Sequence, residues 1–216
     1  MIQQWIPILP SVLLEPKEVI QAFVQDLEVV IWRSEQGRVQ IWENRCPHRS
    51  VRLSLGEVHG ESLICAYHGW QFSADHGQCQ RIPAQPTQRV PSTLCSTTYA
   101  VAEQDGMIWF GGHSHENQSL DMPQSSSYHH YAGSVHLQGD LTDIQQVLFA
   151  WGTQIAPWQW QLTQADLDAM LWLTPIQQDQ AMLHMMKHSS DSLADAFHRL
   201  QKIRDQIENK QEISYV

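Results

Sequence analysis

The chain has 216 residues, with 23 Asp and Glu against 13 Lys and Arg, for a formal net charge of −10. That length sets one large or two small domains. The acidity argues against nucleic-acid binding, which needs clustered basic side chains. No apolar run approaches the ~20 residues that cross a bilayer, and Met1-Ile2-Gln3-Gln4-Trp5 lacks the basic start of a secretory signal. A cytoplasmic protein without membrane attachment is the expectation.

The first half reads as a small all-β domain. Val29 to Trp32 and Val39, Ile41 and Trp42 flank Ser34-Glu35-Gln36-Gly37, which predicts a hairpin. Ala74-Asp75-His76-Gly77 marks a second turn. Gln104-Asp105-Gly106 marks a third, with Asp-Gly the preferred central pair.

Between these turns lie two short loops, Cys46-Pro47-His48 and Cys65-Ala66-Tyr67-His68, sixteen residues apart. Two thiols and two imidazoles can hold a tetrahedral zinc. They can also hold a [2Fe–2S] cluster, cysteines on one iron and histidines on the other. Zinc loops more often pair like ligands, whereas each loop here carries one of each kind. Arg49 leads into Leu53-Ser54-Leu55-Gly56, the second loop continues Gly69-Trp70-Gln71-Phe72, and a later loop reads Arg81-Ile82-Pro83-Ala84-Gln85-Pro86.

Together these segments resemble the Rieske domain of the ring-hydroxylating oxygenase alpha subunits. The resemblance implies an antiparallel β-sandwich with the ligand loops on hairpin tips and the histidines near the surface. In it Cys46, His48, Cys65 and His68 hold one [2Fe–2S] cluster. The extra loop cysteines of respiratory Rieske proteins have no counterpart at Ser50 or its neighbour, nor at Tyr67. Cys79 and Cys95 are then expected to be buried small hydrophobes. Arg45, Arg49 and Arg52 surround the first loop, either as a basic rim for an acidic ferredoxin or reductase or paired with carboxylates of their own domain.

Residues 1–113 are assigned to this domain and 114–127, rich in Ser with Pro123, to a polar linker. His113, His115, His129 and His130 are read as solvated. From Val90 to Met186 there is no Lys or Arg, and nine acidic residues give that stretch −9.

Residues 128–216 are expected to form a reduced α+β domain of helix-grip type. In the resembled family a helix carries Asn-x-x-Asp-x-x-His-x-x-x-x-His, two of whose residues hold a mononuclear iron completed by a carboxylate. Here Asp140 to Trp151 keeps the spacing, with Asp143 at the acidic position that would bridge the two metal sites, but Gln146 and Trp151 stand at the histidines. An indole has no lone pair for a metal, and a glutamine amide is a weak ligand for ferrous iron. Mononuclear iron is therefore not expected, and Trp151 is expected to fill the pocket instead. Only 65 residues follow it.

In that remainder a helix from Gln164 to Leu173 is predicted, with Thr163 as N-cap, Asp166 three residues on and Pro175 as its stop. Ala181 to Met186 reads as a strand. A final amphipathic helix buries Leu193, Phe197, Leu200, Ile203 and Ile207, capped by Ser192 with Asp195. His184, His188 and Asp191, with Asp195 and His198 nearby, form a facial triad on paper, but solvated or capping roles fit a strand-to-helix junction better.

The whole reads as an α+β chain whose cluster transfers one electron, fed by a ferredoxin or a flavin/NAD(P)H-dependent reductase. It would serve an oxygenase subunit, and family resemblance implies a homotrimer. Two alternatives stay open: an active oxygenase hydroxylating or demethylating a small or aromatic substrate through displaced ligands, and a regulatory or sensor subunit.

Overall fold

In the computed structural model, residues 4–113, 128, 130–164, 167–188 and 191–214 are described. The chain opens with β1 (Ile6–Pro10), β2 (Val19–Val24), β3 (Leu27–Arg33) and β4 (Val39–Glu43). Then come the short strands β5 (Glu57–His59), β6 (Ser62–Ile64), β7 (Gln71–Ser73) and β8 (Cys79–Arg81), followed by β9 (Thr98–Gln104) and β10 (Met107–His113). They form a six-stranded sheet ordered β1-β10-β9-β4-β3-β2 and a four-stranded sheet ordered β5-β6-β7-β8. All their pairings are antiparallel.

The three predicted turns are present. Ser34 to Gly37 joins β3 to β4, and Ala74 to Gly77 joins β7 to β8. Asp105 and Gly106 join β9 to β10 with φ of 55° and 72°, both in the left-handed region that a two-residue hairpin turn requires. Gln25 and Asp26 adopt a similar turn between β2 and β3, with φ of 46° and 65°, which no Gly or Asn announced.

The second half is β11 (His130–Gln138), α1 (Leu141–Trp151), β12 (Thr153–Ala156), β13 (Gln159–Gln164), β14 (Leu167–Gln177), β15 (Gln180–Lys187) and α2 (Leu193–Ser214). The five strands make one antiparallel sheet ordered β11-β15-β14-β13-β12, and α1 and α2 cover one of its faces. Asp140 caps α1 by accepting the Thr142 N–H at 2.8 Å. Ser192 caps α2 through the Asp195 N–H at 3.3 Å. Ala196, Leu200, Ile203 and Ile207 of α2 are buried, whereas the predicted core residues Leu193 and Phe197 are 57% and 45% exposed.

The predicted helix over 164–173 is instead the end of β13 and most of β14. Leu167, Ala169, Leu171 and Leu173 face the helices, while Met170 and Trp172 face the other way into a second apolar cluster. A strand buried on both faces reads as an unbroken apolar run, so periodicity does not separate it from a buried helix. Pro175 lies inside β14, and its carbonyl accepts the Gln25 N–H at 2.9 Å. Thr163 stands in β13, and Asp166 lies outside the described residues, as does the 114–127 stretch.

The second apolar cluster joins the halves: Met107 and Trp109 of β10 pack with Tyr128, with Met170 and Trp172 of β14, and with Met186 of β15. The Asp26 N–H donates to the Ile176 carbonyl at 2.8 Å, and the Thr174 hydroxyl to the Pro7 carbonyl at 2.6 Å. The two sheets therefore pack through this shared cluster, whose large aromatics cost roughly 3–5 kcal/mol each when truncated.

Candidate functional site

The two Cys/His loops stand side by side at one end of the first half, closed by the same backbone bonds. The Cys46 N–H donates to the Val51 carbonyl at 2.8 Å, and the Ser50 N–H to the Cys46 carbonyl at 2.8 Å. In the second loop the Cys65 N–H donates to the Trp70 carbonyl at 2.9 Å, and the Gly69 N–H to the Cys65 carbonyl at 3.0 Å. Each loop reverses through one left-handed residue four places after its cysteine, Ser50 at φ 54° and Gly69 at φ 66°. Only the second loop is a hairpin tip, between β6 and β7; the first connects β4 to a short 3₁₀ turn at Leu53–Leu55, a correction to the expected pair of hairpins. At Gly56, which follows that turn, a Cβ would collide with the Ile64 carbonyl oxygen, so the glycine lets the 3₁₀ turn settle against the strand leading to Cys65.

Cys46 and Cys65 are 3% and 2% exposed and belong to a core shared with Trp42, Leu53, Leu63 and Phe72. Burial, opposed by the His48 N–H and aggravated by the neighbouring Cys65 thiol, pushes the Cys46 thiol up to about 11. A thiolate is costly there unless a metal supplies the compensating charge.

His48 and His68 lie further out, with ring centroids 4.8 Å apart. Trp70 stacks on His48 at 4.2 Å and 9°, and Tyr67 leans on His68 at 3.8 Å. Desolvation, with His68 and Arg49 adding to it, holds the His48 pKa below its usual value, a shift that favours the neutral form of the ring.

The third loop completes this end. Ile82, Pro83, Ala84 and Gln85 wall an open cavity of about 520 Å³ with His48, His68 and Trp70. A Cβ on Gly69 would meet Pro83 at 3.1 Å, so the second and third loops are in close approach.

Among the described residues, no three His, Cys, Asp or Glu side chains converge on one point. A tetrahedral zinc needs four. The four side chains are instead disposed as a thiol pair inside and an imidazole pair outside, which fits a binuclear cluster with two protein ligands on each iron.

Two of the three arginines around the first loop are paired internally. Arg45 and Arg52 both reach Glu28, at 2.7 and 2.6 Å, while Arg49 is exposed without an ion pair among the described residues. Cys79 is buried as expected. Cys95 is exposed, because it stands opposite Gln78 in a short bridge whose inner face is taken by Cys79 and Leu94.

The second half distributes its candidate residues differently. Asp143 and Gln146 lie on the exposed face of α1, whose buried face is Ile144, Val147 and Leu148. Trp151 does not fill a pocket. It is half-buried at the seam of the two helices, and its Nε1–H donates to Gln206 Oε1 at 2.6 Å.

His184 is neither solvated nor a cap, a correction to the expectation: it is 2% exposed within β15, with both ring nitrogens engaged. The Thr174 hydroxyl is committed to Pro7, so it accepts from His184 Nε2–H at 3.1 Å; Nδ1 then accepts from the Ser134 hydroxyl at 2.7 Å, and Ser134 from Tyr131 at 2.8 Å. Full burial lowers its pKa to about 3. His188 lies against Tyr128, ring centroids 4.7 Å apart, and His198 is exposed on α2. His184, His188 and Asp191 therefore do not assemble into a triad. His130 is exposed; His115, His129 and the side chain of His113 lie outside the described residues.

Comparison with known proteins bears on the first half and on the overall fold. A family profile for the Rieske [2Fe-2S] domain matches residues 4–100. Oxidoreductase NdmD of Pseudomonas putida is 40% identical over 108 residues, 50% of this chain and 18% of that protein. Protein TIC 55, chloroplastic, of Arabidopsis thaliana is 32% identical over 108 residues, again 50% of this chain and 20% of the relative. The chain thus spans about a fifth of the length of these curated relatives. The solved structure of Pseudomonas putida CBB5 NdmA superposes with a TM-score of 0.71 at 20% identity, covering 95% of this chain and 81% of that one, a likeness of fold across both halves. Residues 4–100 thus match the Rieske [2Fe-2S] domain, and the chain as a whole shares the two-part α+β fold of NdmA.

Proposed function

We propose that this chain carries single electrons through one [2Fe–2S] cluster, held by Cys46 and Cys65 on the inner iron and by His48 and His68 on the outer, and has no mononuclear iron of its own. The observation that carries this reading is the two-and-two disposition: thiols together in the core, imidazoles 4.8 Å apart beyond them. When bound, such a cluster supplies a one-electron couple at a higher potential than an all-cysteine one. The residues around it do the rest. The buried core keeps water from the thiols, Trp70 covers one face of His48, and exposed His68 is the contact point for an electron partner.

Exposed Arg49, with Arg81 beside the third loop, favours an acidic partner, a ferredoxin or a flavin/NAD(P)H-dependent reductase. NdmD is called an oxidoreductase and NdmA a methylxanthine N1-demethylase. A shared cluster half accompanies more than one activity, so what a protein does beyond electron transfer must come from its other half. In this chain that half turns Gln146 to solvent and Trp151 toward α2, and ties both nitrogens of His184 into hydrogen bonds.

The test is a stoichiometry. Anaerobically purified protein is expected to hold two irons and two sulfides, and so is the Gln146→His/Trp151→His double variant, because those two side chains point to different surroundings. A third iron, lost on His184→Ala, would establish the oxygenase reading with displaced ligands. One zinc without sulfide would overturn the cluster itself.

A further inference from the structure

Glu28 stands on β3, outside both ligand loops, yet its carboxylate collects four donors. Oε1 accepts from Arg52 Nε at 2.6 Å, Gln21 Nε2 at 2.9 Å and Asn44 Nδ2 at 3.0 Å; Oε2 accepts from Arg45 at 2.7 Å. The side chain is only 15% exposed. Its own carbonyl accepts the Asn44 N–H at 3.2 Å. Asn44, fully buried, then reaches across to Ser54: Nδ2 donates to the hydroxyl at 2.9 Å, and Oδ1 accepts the Ser54 N–H at 2.8 Å. The first ligand loop leaves this clasp at Arg45, directly before Cys46, and returns to it at Arg52, directly after the residue whose carbonyl holds the Cys46 N–H.

We propose that Glu28 is a positioning residue for the cluster: it fixes the Cys46–His48 loop in place and, as the one carboxylate between Arg45 and Arg52, sets the positive charge that the cluster senses. The inference rests on the cluster reading of the four ligands. Two guanidinium groups on one carboxylate leave a single net positive charge at the loop base. Without the carboxylate there are two, with Arg49 adding a third on the same loop. Extra positive charge favours the reduced, more negative form of a bound cluster. The site is half-enclosed, so the field is weakened by water less than at an open surface.

Glu28→Gln keeps the size and one acceptor oxygen but removes the charge. The loaded variant is expected to retain a two-iron visible and EPR spectrum. Its reduction equilibrium should shift about threefold or more toward the reduced form, and it should lose iron faster to a chelator. Adding Arg52→Gln restores the charge balance without rebuilding the clasp. That double variant should return to the parent potential while still losing iron quickly. A single variant with the parent potential, or a double variant that stays shifted, overturns the electrostatic role; an unchanged chelation rate overturns the positioning role. Should Glu28→Gln fail to fold, Glu28→Asp separates the two effects, because it keeps the charge and shortens the reach. It should hold the parent potential and lose iron faster, and a shifted potential there would count against the proposal. If the ligand reading itself were wrong, the parent protein would already lack a cluster spectrum, which is a different failure.

Discussion

Among the described residues, the histidines near the surface at the Cys/His loops and the buried His184 are held in opposite ways. At the cluster end, no described hydrogen bond takes a ring nitrogen of His48 or His68; the rings are held by Trp70, Tyr67 and each other. At the seam between the halves, His184 has both nitrogens committed in a directed chain from Tyr131 through Ser134 and Thr174 to Pro7. A ligand needs a free lone pair and a shape imposed from elsewhere. A structural histidine needs every polar atom satisfied. The difference lies in what occupies the ring nitrogens, and residue type alone does not reveal it.

The most severe way to break this comparison is to remove a cluster ligand. Cys65→Ser should abolish the visible and EPR signals of the cluster and leave the loaded iron count near zero. It should also destabilise residues 4–100, since a bound cluster would tie both loops together. Cys95→Ser, at the exposed cysteine, is the matched control and should leave iron content and thermal midpoint unchanged. Full iron content in Cys65→Ser would remove that residue from the ligand set.

The end that carries the two Cys/His loops was legible as a candidate site because its residues announce themselves. Mixed Cys/His loops have few other uses, and the Gly-containing turns at 34–37, 74–77 and 104–106 mark the hairpins around them. The third loop, Ile82 to Gln85, came with the same resemblance and does wall the histidines. Glu28 could not be found that way. It sits in a strand, and only the fold brings Arg45, Arg52 and Asn44 to it.

The seam was less legible for a related reason. β14 is buried on both faces, so the run from Leu167 to Thr174 carries no alternation to identify it as a strand. His184 offered one signal, a histidine inside an apolar strand. Its partners Ser134 and Thr174 are 50 and 10 residues away in sequence, Thr174 is in turn bonded to the Pro7 carbonyl 167 residues from it, and nothing local predicts them.

Acid should sharpen the contrast. His184 is neutral in the fold, with its pKa lowered from 6.5 to about 3 by burial. Between those values the unfolded chain binds a proton that the folded chain does not, so stability falls as pH drops below 6.5 and keeps falling toward 3. One such group contributes up to ~1.4 kcal/mol per pH unit. His184→Gln can keep a donor and an acceptor but has no proton to gain. It should be less stable than the parent at pH 7.5, with the gap in denaturation midpoint narrowing toward pH 5. Parallel midpoints across that range would show that His184 does not titrate on unfolding.

The smallest effect is expected at Trp151, and it tests what this residue does at the join of α1 and α2. The indole lies half-buried where α1 meets α2, and its single polar contact is the 2.6 Å bond to Gln206. Both groups are close to solvent, so losing the bond lets water satisfy Gln206, and the net cost should sit near the ordinary ~1 kcal/mol of a hydrogen bond. Trp151→Phe keeps most of the apolar contact with the core and removes only the N–H. It should lower stability by about that amount and leave iron content and the cluster spectrum unchanged, because α1 lies in the other half of the chain. Trp151→Ala removes the ring as well and should cost more, though less than truncating a fully buried aromatic such as Trp172. A Trp151→Phe variant that lost cluster signal, or one that lost several kcal/mol, would mean that the indole acts on the cluster end or carries more of the fold than a bond between two helices accounts for.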